Sequence, residues 1–179
     1  LAASERSEEE RRQAYALNNE GASYLRQGKP EKALSPLRQA IEILPDDPSI
    51  MLNLGGAYIL LGRYIEAEAV LSRAAEIAPD NPLIWSNLGA AVLRLNLGTE
   101  DECQRRAIAA FRRALELDAT APSVAYNLAL VYREREEWEE AARCFQLAIE
   151  ANPADRDARS LYEKMREQAA RSRDLPGGA

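Results

Sequence analysis

The sequence predicts an all-α fold built from repeated pairs of helices. Three observations lead there. Equivalent residues recur every 34 positions: Gly21, Gly55 and Gly89; Ala33 and Ala67; Ala107 and Ala141. Apolar residues fall at helical spacing, as in Met51, Leu54, Gly55 and Tyr58, then Ala67, Leu71 and Ala74. Strand formers are scarce, with Val only at 70, 92, 124 and 131 and Thr only at 99 and 120. A fixed period of this length marks a chain of stacked units rather than one folded core.

The period divides the 179 residues into segments. An N-terminal segment covers 1–13, and units follow at 14–47, 48–81, 82–121 and 122–155. Residues 156–172 form a last helix, and 173–179 a disordered tail holding Pro176, Gly177 and Gly178. Each unit reads as two helices. In the second unit Gly62 breaks the first stripe, and Pro79 with Asp80 and Asn81 stops the second before Pro82 starts the next unit. The N-terminal segment has a Ser followed three residues later by Glu, a helix-start pattern, and extends the first helix backward or frays. In 156–172, Ala158, Leu161, Tyr162 and Met165 form one stripe with charge elsewhere. That suits a cap on a stack whose last unit has no neighbour.

The third unit carries an insertion. Early markers still step by 34 at Gly89 and Val92, and late ones step by 40 at Ala107, so six extra residues lie between its two helices. Gly98 reads as a helix stop and Thr99 as an N-cap with Glu102 three residues on. The expectation is a slightly long first helix, then a second helix starting near Glu100 and about two turns longer than its siblings. Pro36 falls inside the second helix of the first unit, where it removes a hydrogen bond; exposure of that side would relieve it.

Composition narrows the function. There is no histidine, which removes Ser-His-Asp and Cys-His catalysis, His-ligated metals and an imidazole pH switch. Cys103 and Cys144 are too few for a cysteine zinc site, and their separation fits two small helix residues in a reducing compartment. The net charge of −6 argues against nucleic acid. No apolar run approaches the ~18 residues of a membrane span. No Gly-rich phosphate loop or isolated carboxylate pair is present. The expectation is therefore a protein that is no enzyme and holds no cofactor and no metal. A cytoplasmic location follows, unless a signal or anchor has been removed: residue 1 is Leu, not Met, which suggests a fragment or a processed chain.

The repeated residues resemble the tetratricopeptide repeat (TPR). Its Trp-Leu-Gly-Tyr, Ala, Phe, Ala, Pro pattern is matched by Leu17, Gly21, Tyr24, Ala33, Leu37, Ala40 and Pro45 in the first unit. The second unit gives Leu54, Gly55, Tyr58, Ala67, Leu71, Ala74 and Pro79. The third gives Trp85, Leu88, Gly89, Ala107, Phe111 and Ala114, and the fourth Leu128, Tyr132, Ala141, Phe145, Ala148 and Pro153. Val92, Ala129 and Ala119 depart from the pattern without disrupting it. The resemblance implies a right-handed α-α superhelix of about nine helices, acting as a protein-interaction module or adaptor. In such repeats, the face of each first helix that points away from the helix seam lines a concave groove where partners bind.

Counted from each unit's first residue, that face is formed by positions 2, 5, 6, 9, 12 and 13. The candidate peptide-binding residues are Tyr15, Asn19, Arg26, Leu52, Asn53, Leu83, Asn87, Arg94, Tyr126, Asn127, Leu130 and Arg133. Position 5 of the first unit adds Asn18. Asn stands at position 6 in all four units, and its amide can both accept from and donate to a main chain. The row either holds an extended peptide or bonds to neighbouring helices. Leu and Tyr offer apolar anchors. Arg26, Arg94 and Arg133 against Glu134 favour an apolar peptide of some acidic character, extended or helical. Family members that clamp acidic chaperone tails use Lys or Arg where this chain has Tyr15, Leu83 and Asn87, so that ligand is not expected. Two other functions fit the same residues: a self-associating scaffold, giving a homo-oligomer, and the substrate-selecting arm of a larger enzyme.

Overall fold

The computed structural model describes residues 7–95 and 99–174. The described residues form helices and turns, with no strand among them. In order the helices are α1 (Glu8–Arg26), α2 (Pro30–Ile43), α3 (Pro48–Leu60), α4 (Tyr64–Ile77), α5 (Pro82–Val92), α6 (Glu100–Leu117), α7 (Pro122–Glu134), α8 (Trp138–Ala151) and α9 (Arg156–Asp174). Each packs on the next, and the chain winds as a solenoid.

Local chemistry sets the helix starts. Ser7 caps α1: its Oγ accepts from the Glu10 N–H at 3.2 Å, and Glu10 Oε2 accepts from the Ser7 N–H at 2.8 Å. Asp47 caps α3, Asn81 caps α5 and Thr99 caps α6 with side-chain oxygens. Pro48, Pro82 and Pro122 take the first helical position, where a missing N–H costs nothing. The turns into α2, α4 and α8 pass through a residue of positive φ: Gly28, Gly62 and Glu136. Glycine adopts that conformation without strain; glutamate does not.

Within a pair, the two helices approach over a glycine. A Cβ built on Gly21 would lie 2.4 Å from Leu37 Cγ, and one on Gly55 would lie 2.5 Å from Leu71 Cγ. On Gly89 it would lie 2.8 Å from the Phe111 ring. The small residue at this position is therefore a packing requirement. Buried alanines continue the close contact through Ala33, Ala67, Ala107 and Ala141.

The insertion differs from its sequence-based expectation. α6 has 18 residues against 14 in α2, α4 and α8, one turn longer rather than two. α5 is short, not long: 11 residues against 13 in α3 and α7. Thr99 does cap α6, accepting from the Glu102 N–H at 3.2 Å. Gly98 lies outside the described residues. Pro36 is buried, so exposure of its side chain relieves nothing. The carbonyl it leaves without a donor belongs to Lys32, one turn earlier on the exposed side of α2. Cys103 and Cys144 are both buried. Desolvation pushes the Cys144 thiol up to about 11.

Candidate peptide-binding face

The first helices of the pairs, α1, α3 and α5, lie side by side, and α7 follows beyond α6. Their outward positions hold the predicted residues in three kinds of setting.

Some are open. Leu83 at the start of α5 is 61% exposed, and Arg26, Arg94 and Asn19 are exposed. Tyr15 is 43% exposed, but its hydroxyl donates to Asp47 Oδ2 at 2.9 Å. That hydrogen bond and the Asp47 charge hold the Tyr15 phenol above its usual range. Because Asp47 Oδ1 also caps α3, this tyrosine fastens α1 to the start of α3.

Others are half-buried and lean on the core: Leu52, Leu130 and Tyr126. The Tyr126 ring stands edge-on to Phe145, with centroids 5.5 Å apart. These side chains spend part of their surface holding the repeats together.

The asparagine row divides. Asn53 donates through Nδ2 to Asn18 Oδ1 at 2.8 Å. Asn18 is turned inward and only 6% exposed, so it does not belong to the open face. The same register places Leu52 before Asn87 and Ser86 before Asn127. Among the described residues, the amides of Asn19, Asn87 and Asn127 have no hydrogen-bond partner. Asn87 and Asn127 are half-buried. Asn87 lies against the bare backbone of Gly56 in α3: a Cβ built there would be 3.9 Å from Asn87 Nδ2. Arg26, Arg94, Arg133 and Glu134 form no ion pair among the described residues.

Sequence reasoning missed how the units are tied. Arg73 of α4 pairs with Asp46 at 3.2 Å, Arg106 of α6 with Glu68 of α4, and Arg135 with Asp101 of α6. Each pair bridges adjacent units. It also missed two arginine–tyrosine pairs set 20 residues apart. Arg38 Nε donates to the Tyr58 hydroxyl at 3.3 Å, with its guanidinium 5.9 Å from the ring centre. Arg112 stands 5.7 Å from the Tyr132 ring. The common spacing was the available signal.

Among the described residues, no three His, Cys, Asp or Glu side chains gather to hold a metal ion. No helix there is long and apolar enough to cross a membrane.

A stack of helix pairs, each closed over a small residue and open along its first helices, defines a helical-repeat solenoid. Two models described as tetratricopeptide repeat match residues 24–92 and 122–155, together more than half of the chain. The chain belongs to the tetratricopeptide repeat family, whose members are in general protein-interaction modules without catalysis. Similar solved structures include a MamA protein, at a TM-score of 0.75 and 20% identity over 88% of this chain and 83% of that one. A thermophilic TPR protein of Thermus thermophilus gives 0.73 and 16% over 88% and 84%. A chain of the APC/C hetero-tetramer Cut9-Hcn1 gives 0.75 and 19%, over 85% of this chain and 29% of that one. At these identities the likeness is one of fold. No curated protein sequence matches the chain.

Proposed function

We propose that this chain is an adaptor that holds a peptide segment of a partner protein against the outward face of α1, α3, α5 and α7. The observation that carries the reading is the state of Asn87 and Asn127. Both amides are half-buried, and neither has a protein partner among the described residues. A half-buried amide without a partner forgoes a bond worth about 1 kcal/mol, and a peptide main chain supplies both the donor and the acceptor it lacks. Leu83 provides an exposed apolar anchor next to Asn87. Arg26, Arg94 and Arg133 favour acidic side chains on the ligand. α9 serves as the cap, burying Ala158, Met165 and Ala169 against the last pair.

The site settings choose the test. Asn53→Ala would strand the buried Asn18, and Leu52→Asp would strike the core, so neither isolates binding. Leu83→Asp with Asn87→Ala touches only open or unpartnered groups. Affinity capture with the wild type and with this double variant should recover a partner that only the wild type retains. A peptide from that partner should bind the variant at least tenfold more weakly by calorimetry. Equal recovery by both proteins would overturn the reading.

A further inference from the structure

The edge of the solenoid formed by the turns within helix pairs changes character at the second unit. Three register positions around this turn are polar or charged in the first unit, as Arg26, Gln27 and Glu31, and in the fourth, as Glu134, Arg135 and Glu139. The second unit places Leu60, Leu61 and Ile65 there. The fold leaves them in the open: Leu60 is 62% exposed and Ile65 58%, and Leu61 is half-buried. Single apolar side chains on a surface are ordinary. Three aliphatics at one turn, where the sister turns are solvated, mark a contact surface.

The turn also has a hollow beside it. A recess of about 360 Å³ is lined by Gly62, Tyr64 and Ile65 and, from the next unit, by Arg94 and Leu95. A Cβ built on Gly62 would meet only the Tyr64 hydroxyl, at 4.0 Å. That hydroxyl has no hydrogen-bond partner among the described residues. Such a recess suits a protein side chain, whereas a lipid surface has nothing to place in it.

The borders are mainly positive. Within residues 26–32, Arg26, Lys29 and Lys32 are exposed cations against one carboxylate, Glu31, and none of them forms an ion pair among the described residues. Leu60 holds position 13 of its unit, and Arg26 and Arg94 hold it in the two neighbouring first helices. Arg94 is unpaired as well, with Glu100 and Glu134 across a separate recess. Arg63 and Glu66 neutralise each other, Arg63 Nε donating to Glu66 Oε1 at 2.8 Å.

We propose that this edge docks a partner-protein segment in which apolar residues alternate with carboxylates. One apolar side chain enters the recess beside Ile65, and the carboxylates turn to Arg94 and to the cations of residues 26–32. The site uses neither Leu83 nor Asn87, so it stands or falls apart from the asparagine row.

The probe is acetyl-Asp-Leu-Glu-Phe-Asp-amide. One control carries alanine in place of leucine and phenylalanine, and the other lysine in place of each acid. The readout is a proton–nitrogen correlation spectrum of the intact chain at millimolar peptide. The probe should shift the Gly62 and Ile65 amides saturably and bind at least fivefold tighter than either control. Leu60→Arg with Ile65→Glu installs the first unit's side chains at exposed positions. It should weaken binding at least tenfold with the thermal midpoint unchanged. Arg94→Glu, at another exposed position, should weaken it at least threefold, and Leu83→Asp with Asn87→Ala should bind as the wild type does. Equal affinity for the three peptides, shifts centred on Leu83 and Asn87, or full binding by the Leu60→Arg, Ile65→Glu and the Arg94→Glu variants would each overturn the proposal. So would a different occupant: a mass that rises with concentration, or binding to phosphatidylserine vesicles, shown by the wild type and lost in the Leu60→Arg, Ile65→Glu variant.

Discussion

The joint between the first and second units has paired side chains on both faces, and the joint between the second and third lacks those partners at the same register positions. At the first, Asn53 reaches back to Asn18, and Tyr58 lies under Arg38. At the second, the same register positions give Asn87 without a hydrogen-bond partner, and Val92 and Ser72 in place of tyrosine and arginine. The backbone is repeated almost unchanged, and the side chains decide where the protein satisfies itself. A joint without these partners gives up some internal stability and leaves the Asn87 amide available to a ligand. In a stack where each unit touches only its neighbours, such a sacrifice stays local.

The comparison is broken or sharpened first by removing the ring at the closed joint. Tyr58→Ala deletes a buried aromatic and should lower the unfolding free energy by about 3 kcal/mol, as for other buried aromatic truncations. Val92→Ala at the second joint removes less, about 1–2 kcal/mol, because it deletes two methyl groups from a buried side chain rather than a whole ring. Urea unfolding of the two variants gives the ratio. A Val92→Ala loss equal to that of Tyr58→Ala would mean that the second joint is packed as firmly as the first.

Two adjacent glycines of α3 separate packing from openness. Gly55 faces Leu71 with no room for a methyl group, so Gly55→Ala should cost about 2 kcal/mol through overpacking. Gly56 faces the open joint, where the nearest atom, Asn87 Nδ2, is at ordinary contact distance. Gly56→Ala should therefore gain up to about 1 kcal/mol from helix propensity. Thermal unfolding should move in opposite directions for these neighbours. A loss at both would show that the second joint has no spare space on its asparagine side.

The asparagines give the next smaller contrast. Asn53→Ala leaves the buried Asn18 carbonyl without a partner and should cost about 1–2 kcal/mol. Asn87→Ala breaks no hydrogen bond among the described residues and should stay within about 0.5 kcal/mol of wild type. If the two variants unfold alike, the row is uniform, and its division into inward and outward members is wrong.

How much of this was legible beforehand follows from what each scale of structure depends on. The helix pairs and their close approach were readable, because Gly21, Gly55 and Gly89 recur in register and the helix-starting prolines mark each unit. The inserted turn was misjudged in length, since α6 gains four residues, the connection before it gains four and α5 loses two, and helix propensity alone does not apportion them. The inward turn of Asn18 was hidden because its neighbour Asn19 has the same side chain, and only the contact across to α3 distinguishes them. Val92 reads in the sequence as a harmless departure from the repeat pattern. Its meaning depends on Ser72, 20 residues earlier, and compensating absences are visible only when both positions are set beside Arg38 and Tyr58.

The smallest effect concerns pH, and it bears on the joint between the third and fourth units. Cys144 of α8 is buried near Tyr132, and the same register position in α6 is Ala110. Burial raises the Cys144 thiol to about 11, against an ordinary value of about 8.5 in the unfolded chain. The folded state therefore keeps the proton where the unfolded state releases it. The contribution is fully present below about pH 8.5 and is lost as pH rises through the folded value. Between about pH 7 and about pH 9 the loss should stay below about 1 kcal/mol. Burial raises the Tyr132 hydroxyl as well, with the same sign at higher pH. Urea midpoints measured across this range should fall more steeply for wild type than for Cys144→Ala. Parallel slopes would mean that water reaches Cys144 and that this joint is not sealed.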